Sequence, residues 1–279
     1  MQLSATKYFS AQPHGEIRWI FHEGEDEWSV RQPPEDWAAN DYEAAKCDLG
    51  WRSGATQNLP HPELADKFFL ASPIQMENAG GGLPWKKSTA ERDLYLKFAS
   101  LRGIPSQILQ YANQYGFLKP NNKRLSTQNA VRIHRQWDLD PKGVSAAGGV
   151  AVDFFLEPAS AWLQTFDAVR HFLHRWEEVA ERAPAERIEL LCDFHIEFEP
   201  KMSFHLDPDL NADGIARSLQ DLLWIQWGTS IGSRVIHRRC TQCEAYMAIH
   251  PDTARKDKHF CSDACRMRAY RLRKSGKAI

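Results

Sequence analysis

Trp162, Phe166, Val169, Leu173, Trp176 and Val179 recur three or four residues apart between Ala159 and Arg182, which places them on one face of an α-helix. Pro184 closes that run. Leu94, Phe98 and Leu101 repeat the helical spacing after Ser88, which stands at capping-box distance from Glu91, and Gly103 ends the segment. Another helix is expected from Pro105, a favoured first position, with Ile108, Leu109, Ala112 and Tyr115 on one face and Gly116 where a C-terminal cap belongs. A long helix is expected from about Asp213 to Ser233, with Ile215, Leu219, Leu222, Leu223, Gln226 and Trp227 on or beside its buried face.

Strand periodicity is rarer. Glu16 to Phe21 reads as a strand, followed by an acidic turn from Glu23 to Glu27 and a return at Trp28 to Val30. Cys192, Phe194, Ile196 and Phe198 alternate with Asp193, His195 and Glu197, so Ile188 to Phe198 reads as a half-buried strand. Met202 to Leu206 would return beside it across Glu199-Pro200-Lys201. A short helical candidate covers Glu35 to Ala45, and Asp140 to Gly149 has loop composition. Residues 46–88 carry no firm period, and Gly80-Gly81-Gly82 marks a break. The expected fold class is mainly α with a small β component (α+β). Its expected parts are a mixed N-terminal region at 1–88, a helical domain with an inserted hairpin at 89–233, and a C-terminal unit at 234–279.

Composition adds two things. Ten tryptophans imply either a core with large aromatic anchors or an apolar pocket walled by Trp162, Trp176, Trp224 and Trp227 with Tyr95 and Tyr111. The filled core is the favoured reading. The first residues lack a basic stretch followed by an apolar run, and no segment reaches the roughly 18 to 20 apolar residues that span a bilayer. A cytoplasmic location without membrane contact is therefore expected. Six cysteines in that reducing setting suggest metal ligands or core residues rather than disulfides. Cys47 and Cys192 stand apart and read as small hydrophobes.

Charge is the second. The net charge of -1 hides a division: residues 232–279 hold twelve Lys/Arg against four Asp/Glu, leaving 23 basic and 32 acidic residues before them. The C-terminal segment is a separate electrostatic object.

That segment contains Cys240-x2-Cys243-x17-Cys261-x3-Cys265. Two short-spaced pairs of soft thiolates are the arrangement that satisfies tetrahedral Zn²⁺, and four cysteines leave no coordination position for an activated water. Structural zinc is the expectation, with His250 and His259 as weaker alternative ligands. Ser262 reads as an N-cap, so that a helix runs from Asp263 to about Lys274 with Cys265, Ala269 and Leu272 on its inner face. Arg266, Arg268, Arg271, Arg273 and Lys274 would then fan outward with Met267 and Tyr270. With Arg238 and Arg239 they form a candidate nucleic-acid surface, in which cations meet phosphate, arginine reads guanine, and Tyr270 stacks on a base or lies along the backbone. The expected partner is double-stranded DNA, with a homodimer or the larger domain adding affinity. The alternative is a structural or protein-docking finger.

From about residue 94 to 274, helices, a short strand pair, another helix and a terminal cysteine finger with arginines follow in an order that resembles bacterial proteins joining an ABATE-type helical domain to a CGNR-type zinc finger. The resemblance is carried by Cys240, Cys243, Cys261 and Cys265 with Arg266, Arg268 and Arg271. Arg266-Met267-Arg268 stands where that family has Gly-Asn-Arg. The stretch FCSDACRMRAYR is also similar to the FCS-type treble clef. The resemblance implies a transcriptional regulator whose larger domain senses a small-molecule effector or stress.

Two polar sets, Asp193 with His195 and Glu197, and His171 with His174 and Glu178, have spacings that can serve acid-base or metal chemistry, yet solvent-facing polarity explains both. There is no phosphate-binding glycine loop, serine elbow or HExxH motif, and an enzyme is not expected.

Overall fold

The computed structural model describes residues 7–11, 17–24, 27–34, 65–73, 85–89, 91, 93–101, 103–119, 121–124, 127–136, 153–179, 202–206, 212–216, 218–250 and 257–275, with a few positions between 182 and 189. The strands are β1 (Lys7–Ala11), β2 (Arg18–Gly24), β3 (Glu27–Ser29), β4 (Phe68–Pro73), β5 (Trp85–Thr89), β6 (Asn121–Arg124), β7 (Asp153–Pro158), β8 (Met202–Leu206), β9 (Ala212–Ala216), β10 (Ile236–Arg239) and β11 (Tyr246–Ile249). The helices are α1 (Leu94–Ala99), α2 (Pro105–Tyr115), α3 (Thr127–Gln136), α4 (Ala159–Val179), α5 (Leu219–Gly232) and α6 (Asp263–Lys274).

The fold is α+β, but its β part exceeds the small component expected. An antiparallel sheet runs β3-β2-β4-β7-β6, a second sheet runs β5-β1-β9-β8, and β10 pairs with β11. In the first sheet successive residues point to opposite faces and both faces are covered. Trp19, Phe68, Leu70 and Phe155 enter the main core, while Ile20, Ala71, Phe154 and Leu156 join Trp28 and Ile133 of α3 in a smaller one. The hairpin expected around the acidic turn is β2 with β3, where His22 lies opposite Trp28 and the register shifts between His22 and Gly24.

Both large sheets combine strands from before and after residue 88, so the boundary expected there does not separate two packing units. Ser88 lies in β5 rather than at a helix start. The first turn of α1 instead follows Asp93, in a left-handed conformation (φ 64°) with no side-chain cap. The long helix expected from Asp213 starts at Leu219, because residues 212–216 pair with β8 and β1. Ser218 caps it by accepting from the Asp221 N–H at 3.0 Å, while its own hydroxyl donates to the Asp221 carboxylate at 2.7 Å. Met202 to Leu206 is a strand as expected, but its partner is β9. Residues 187–189 are helical where a strand was expected to begin. The remainder of that expected strand, with Cys192, Asp193, His195 and Glu197, lies outside the described residues, as do Cys47, 35–45 and 140–149.

The helical stripe holds. Trp162, Phe166, Val169, Leu173, Trp176 and Val179 are all buried along α4, which packs on β4 and β7 and against α1. Helix α5 touches α1, β1 and β9, and Phe172 of α4 meets Trp224 and Trp227 at centroid distances of 6.2 and 5.6 Å. Trp162, Trp224 and Trp227 thus pack against phenylalanines, in keeping with the filled aromatic core favoured over a pocket. Glu157 is the charged exception. Its carboxylate accepts the N–H groups of Leu118 (2.9 Å) and Lys119 and the indole N–H of Trp162 (2.6 Å). Burial nevertheless pushes its pKa up to about 7.

Candidate metal centre

Cys240 follows β10 and opens a tight turn closed by Glu244 N–H to Cys240 O (2.8 Å) and Cys240 N–H to Ala245 O (2.9 Å). Glu244 adopts φ 60° to complete it. The turn presents Cys240 and Cys243 on one side, while β10 and β11 hold its base from Ile236 opposite Ile249 to Arg239 opposite Tyr246. The second pair arrives from the far end of the segment. The backbone N–H of Thr241 donates to His259 O at 3.0 Å and its hydroxyl does so at 3.3 Å, tying the chain ahead of Cys261 to the turn.

The four sulfurs lie within 4.8 Å of one another. Cys243 and Cys261 are 3.6 Å apart, and Cys261 and Cys265 are 3.5 Å apart. Such thiols cannot all ionise unaided, and their acidities diverge accordingly. Burial pushes the Cys240 thiol up, but the backbone N–H groups of Cys261, Gln242 and Cys243 outweigh it and bring it down to about 6. Burial and the neighbouring thiols of Cys265, Cys243 and Cys240 push Cys261 up to about 12, and burial also raises Cys243. A cation among the sulfurs would reverse that repulsion. This cluster is the one group of at least three His, Cys, Asp or Glu ligands suited to a metal ion among the described residues.

Ser262 caps α6 as expected, accepting the Cys265 N–H at 3.3 Å. Ala269 is buried and Cys265 and Leu272 are half-buried, so one narrow face turns inward. Arg266, Arg268, Arg271, Arg273 and Lys274 are exposed, with Met267 and Tyr270 exposed among them. Arg266 pairs with Asp263 at 3.0 Å on the surface. The two candidate arginines of β10 differ. Arg239 stacks over the Tyr246 ring at 5.0 Å and donates to its hydroxyl at 2.9 Å. Arg239 and Arg238, both half-buried, also attract the Glu177 carboxyl, whose pKa burial still raises. They belong to the junction with α4, apart from the exposed arginines of α6.

The histidines have other work. His250 meets the Asp93 carboxylate at 3.3 Å, and the backbone of His259 accepts from Thr241. His174 pairs with Glu178 at 3.3 Å on the exposed side of α4.

His237, which no motif marked, joins the hairpin to the body. Buried on β10, its Nε2 lies 2.7 Å from the Tyr95 hydroxyl of α1 and 3.1 Å from the Ser230 hydroxyl of α5. No alternation in the sequence marks it, since β10 reads IHRR and places His237 on the same strand face as Arg239. Tyr246 N–H adds a bond to the Ser100 hydroxyl at 3.0 Å. Burial, then the nearby His250, depresses the His237 pKa to about 4. Neutral His237 therefore contributes stability that is present above about pH 6.5 and lost as pH falls through about 4. Relative to His237→Phe, the wild-type chain should lose on the order of 3 kcal/mol between pH 7 and 4. Denaturant unfolding across that range checks this, and a pH-independent difference would refute it.

Neither a family model, nor a curated protein, nor a solved structure matches the chain. No helix among the described residues is long and apolar enough to cross a membrane.

Proposed function

We propose that residues 234–279 form a zinc-stabilised, treble-clef-like finger that binds nucleic acid, and that the chain is a transcriptional regulator acting on double-stranded DNA. A thiolate tetrahedron around zinc, with Zn–S near 2.3 Å, has edges of about 3.8 Å, and the observed sulfur separations are compatible with that size. A turn bearing two thiols, a hairpin and a helix bearing another supports the treble-clef description. Zinc held by four thiolates has no open position, so its role here is structural.

The observation that carries the nucleic-acid reading is the disposition of α6. Its N-terminus is fixed at the cysteine cluster, Ala269 faces inward, and Arg266, Arg268, Arg271, Arg273 and Lys274 all reach solvent. Phosphates satisfy such a surface by ion pairing and counterion release. A single helix of this size yields modest affinity, so a second copy or the body adds contacts. The resemblance to CGNR-type regulators points the same way.

Met267 and Tyr270 favour a second reading, since they are large apolar side chains exposed at 46% and 54% on the same helix. A protein-docking finger would use them as anchors. Duplex DNA binding, followed by fluorescence anisotropy over a salt series, separates the readings. Arg268→Ala with Arg271→Ala should weaken affinity by about tenfold or more and flatten the log-log salt slope by about two. Unchanged affinity sinks the nucleic-acid reading. A protein partner retained at high salt, and lost on Met267→Ala with Tyr270→Ala, would establish docking instead.

A further inference from the structure

A cleft of about 650 Å³ lies between the finger and the helical body. One wall is α1 with α2; the other is residues 245–248, together with Lys258 and Cys261. Leu96, Leu101, Tyr111 and Met247 supply apolar surface within it. The core tryptophans take no part. The volume falls in the range of small-molecule sites, which combine apolar lining with a few convergent polar groups.

Those polar groups narrow the ligand. Gln107, Gln110 and Gln114 all line the cleft from α2, three and four residues apart and so on one helix row. A carboxamide carries a donor and an acceptor in one plane, the pattern that pairs with the edge of a heterocyclic base. Tyr115 lies beside this row, its ring packed on Tyr111 at 4.6 Å between centroids and its hydroxyl donating to Glu91 at 3.3 Å. Charge is partly balanced: Lys97 is paired with Glu91, and Asp93 meets His250. Lys258 adds a cation on the finger side, suited to one phosphate rather than to a polyanion.

We propose that this cleft binds the base of a nucleoside or mononucleotide, with the glutamine row on its edge and Lys258 toward a phosphate. One wall contains Cys261 and the strand that follows the cysteine turn. Metal occupancy and ligand occupancy should therefore favour each other, by the same factor in both directions. The site uses none of the α6 arginines, so it goes beyond the DNA reading.

The test uses the full metal-loaded chain, with adenosine, guanosine, cytidine, uridine and their 5′-monophosphates as probes, followed by calorimetry and thermal shift. At least one base should bind. Gln110→Leu with Gln114→Leu, both exposed positions, should weaken it by about tenfold or more. If the monophosphate binds better than its nucleoside, Lys258→Ala should erase that advantage; equal binding would identify the nucleoside as the ligand. Bound ligand should also slow extraction of the metal by a chelator. The proposal is overturned if no probe binds, or if the double glutamine variant binds as the wild type does. Duplex DNA binding measured on the same variant should be unchanged, which keeps failure here distinct from failure of the DNA reading.

Discussion

Cys240→Ser should lose tight metal binding and destabilise more of the molecule than its finger, by about 4 kcal/mol or more. Cys240 is the buried member of the sulfur set, at 1% exposure. A hairpin this small has little core of its own, so a metal held by its thiols would couple binding to folding. Its loss should spread because β11 packs on α1 and β10 on α4. The same interface holds Tyr95 against His237, Tyr246 against Ser100, and His250 against Asp93. Metal analysis should give about one zinc per wild-type chain and far less in the variant, and thermal unfolding should show one transition displaced downward. A variant retaining full metal and the wild-type melt would remove Cys240 from the ligand set. A variant that loses metal but keeps the body's melting temperature would show that the body folds independently of the finger.

Trp162→Ala should cost about 3 to 5 kcal/mol, the usual range for removing a buried large aromatic. The ring sits against Phe98 at 6.0 Å and Tyr111 at 6.2 Å between centroids, so its loss opens a cavity where α1, α2 and α4 meet. Its indole N–H also serves Glu157. Trp162→Phe separates these contributions, because it keeps most of the packing and removes the donor, at about 1 to 2 kcal/mol. The pH dependence identifies which one is lost. Burial raises Glu157 to about 7 in the folded chain, so its contribution is fully present below the unfolded value near 4.5 and is lost as pH rises through about 7. Removing a donor from the ionised carboxylate should enlarge that loss. The cost of Trp162→Phe should be greater at pH 8 than at pH 5 in denaturant unfolding; an equal cost would mean that the indole bond does not favour the ionised form.

Particular residues show why some elements could be read in advance. Pro105 and Gly116 bracket α2, and the stripe from Trp162 to Val179 repeats at the helical period. Each is a local rule whose partners lie within one or two turns. The two large sheets obey no such rule. β9 reads ADGIA and β6 reads NNKR, neither with useful alternation, and β9 is a strand because β1 and β8 lie on either side of it. Ser218 and Asp221 formed a legible helix start, masked by apolar residues on both sides of it. Helix α5 is buried on several faces, under α1 and the second sheet, so it lacks a polar face to mark its limits.

The sequence by itself determined the cysteine cluster, the Ser262 cap and the arginine-rich outer face of α6, because ligand spacing, capping and helical period are local properties of the chain. The tertiary structure decided that His237 is buried at the finger's root, that Arg239 turns onto Tyr246, and that a glutamine row faces the cysteine-bearing hairpin across a cleft. Those outcomes depend on which surfaces meet after distant segments pack, and that is set by the fit of whole elements rather than by the order of neighbouring residues.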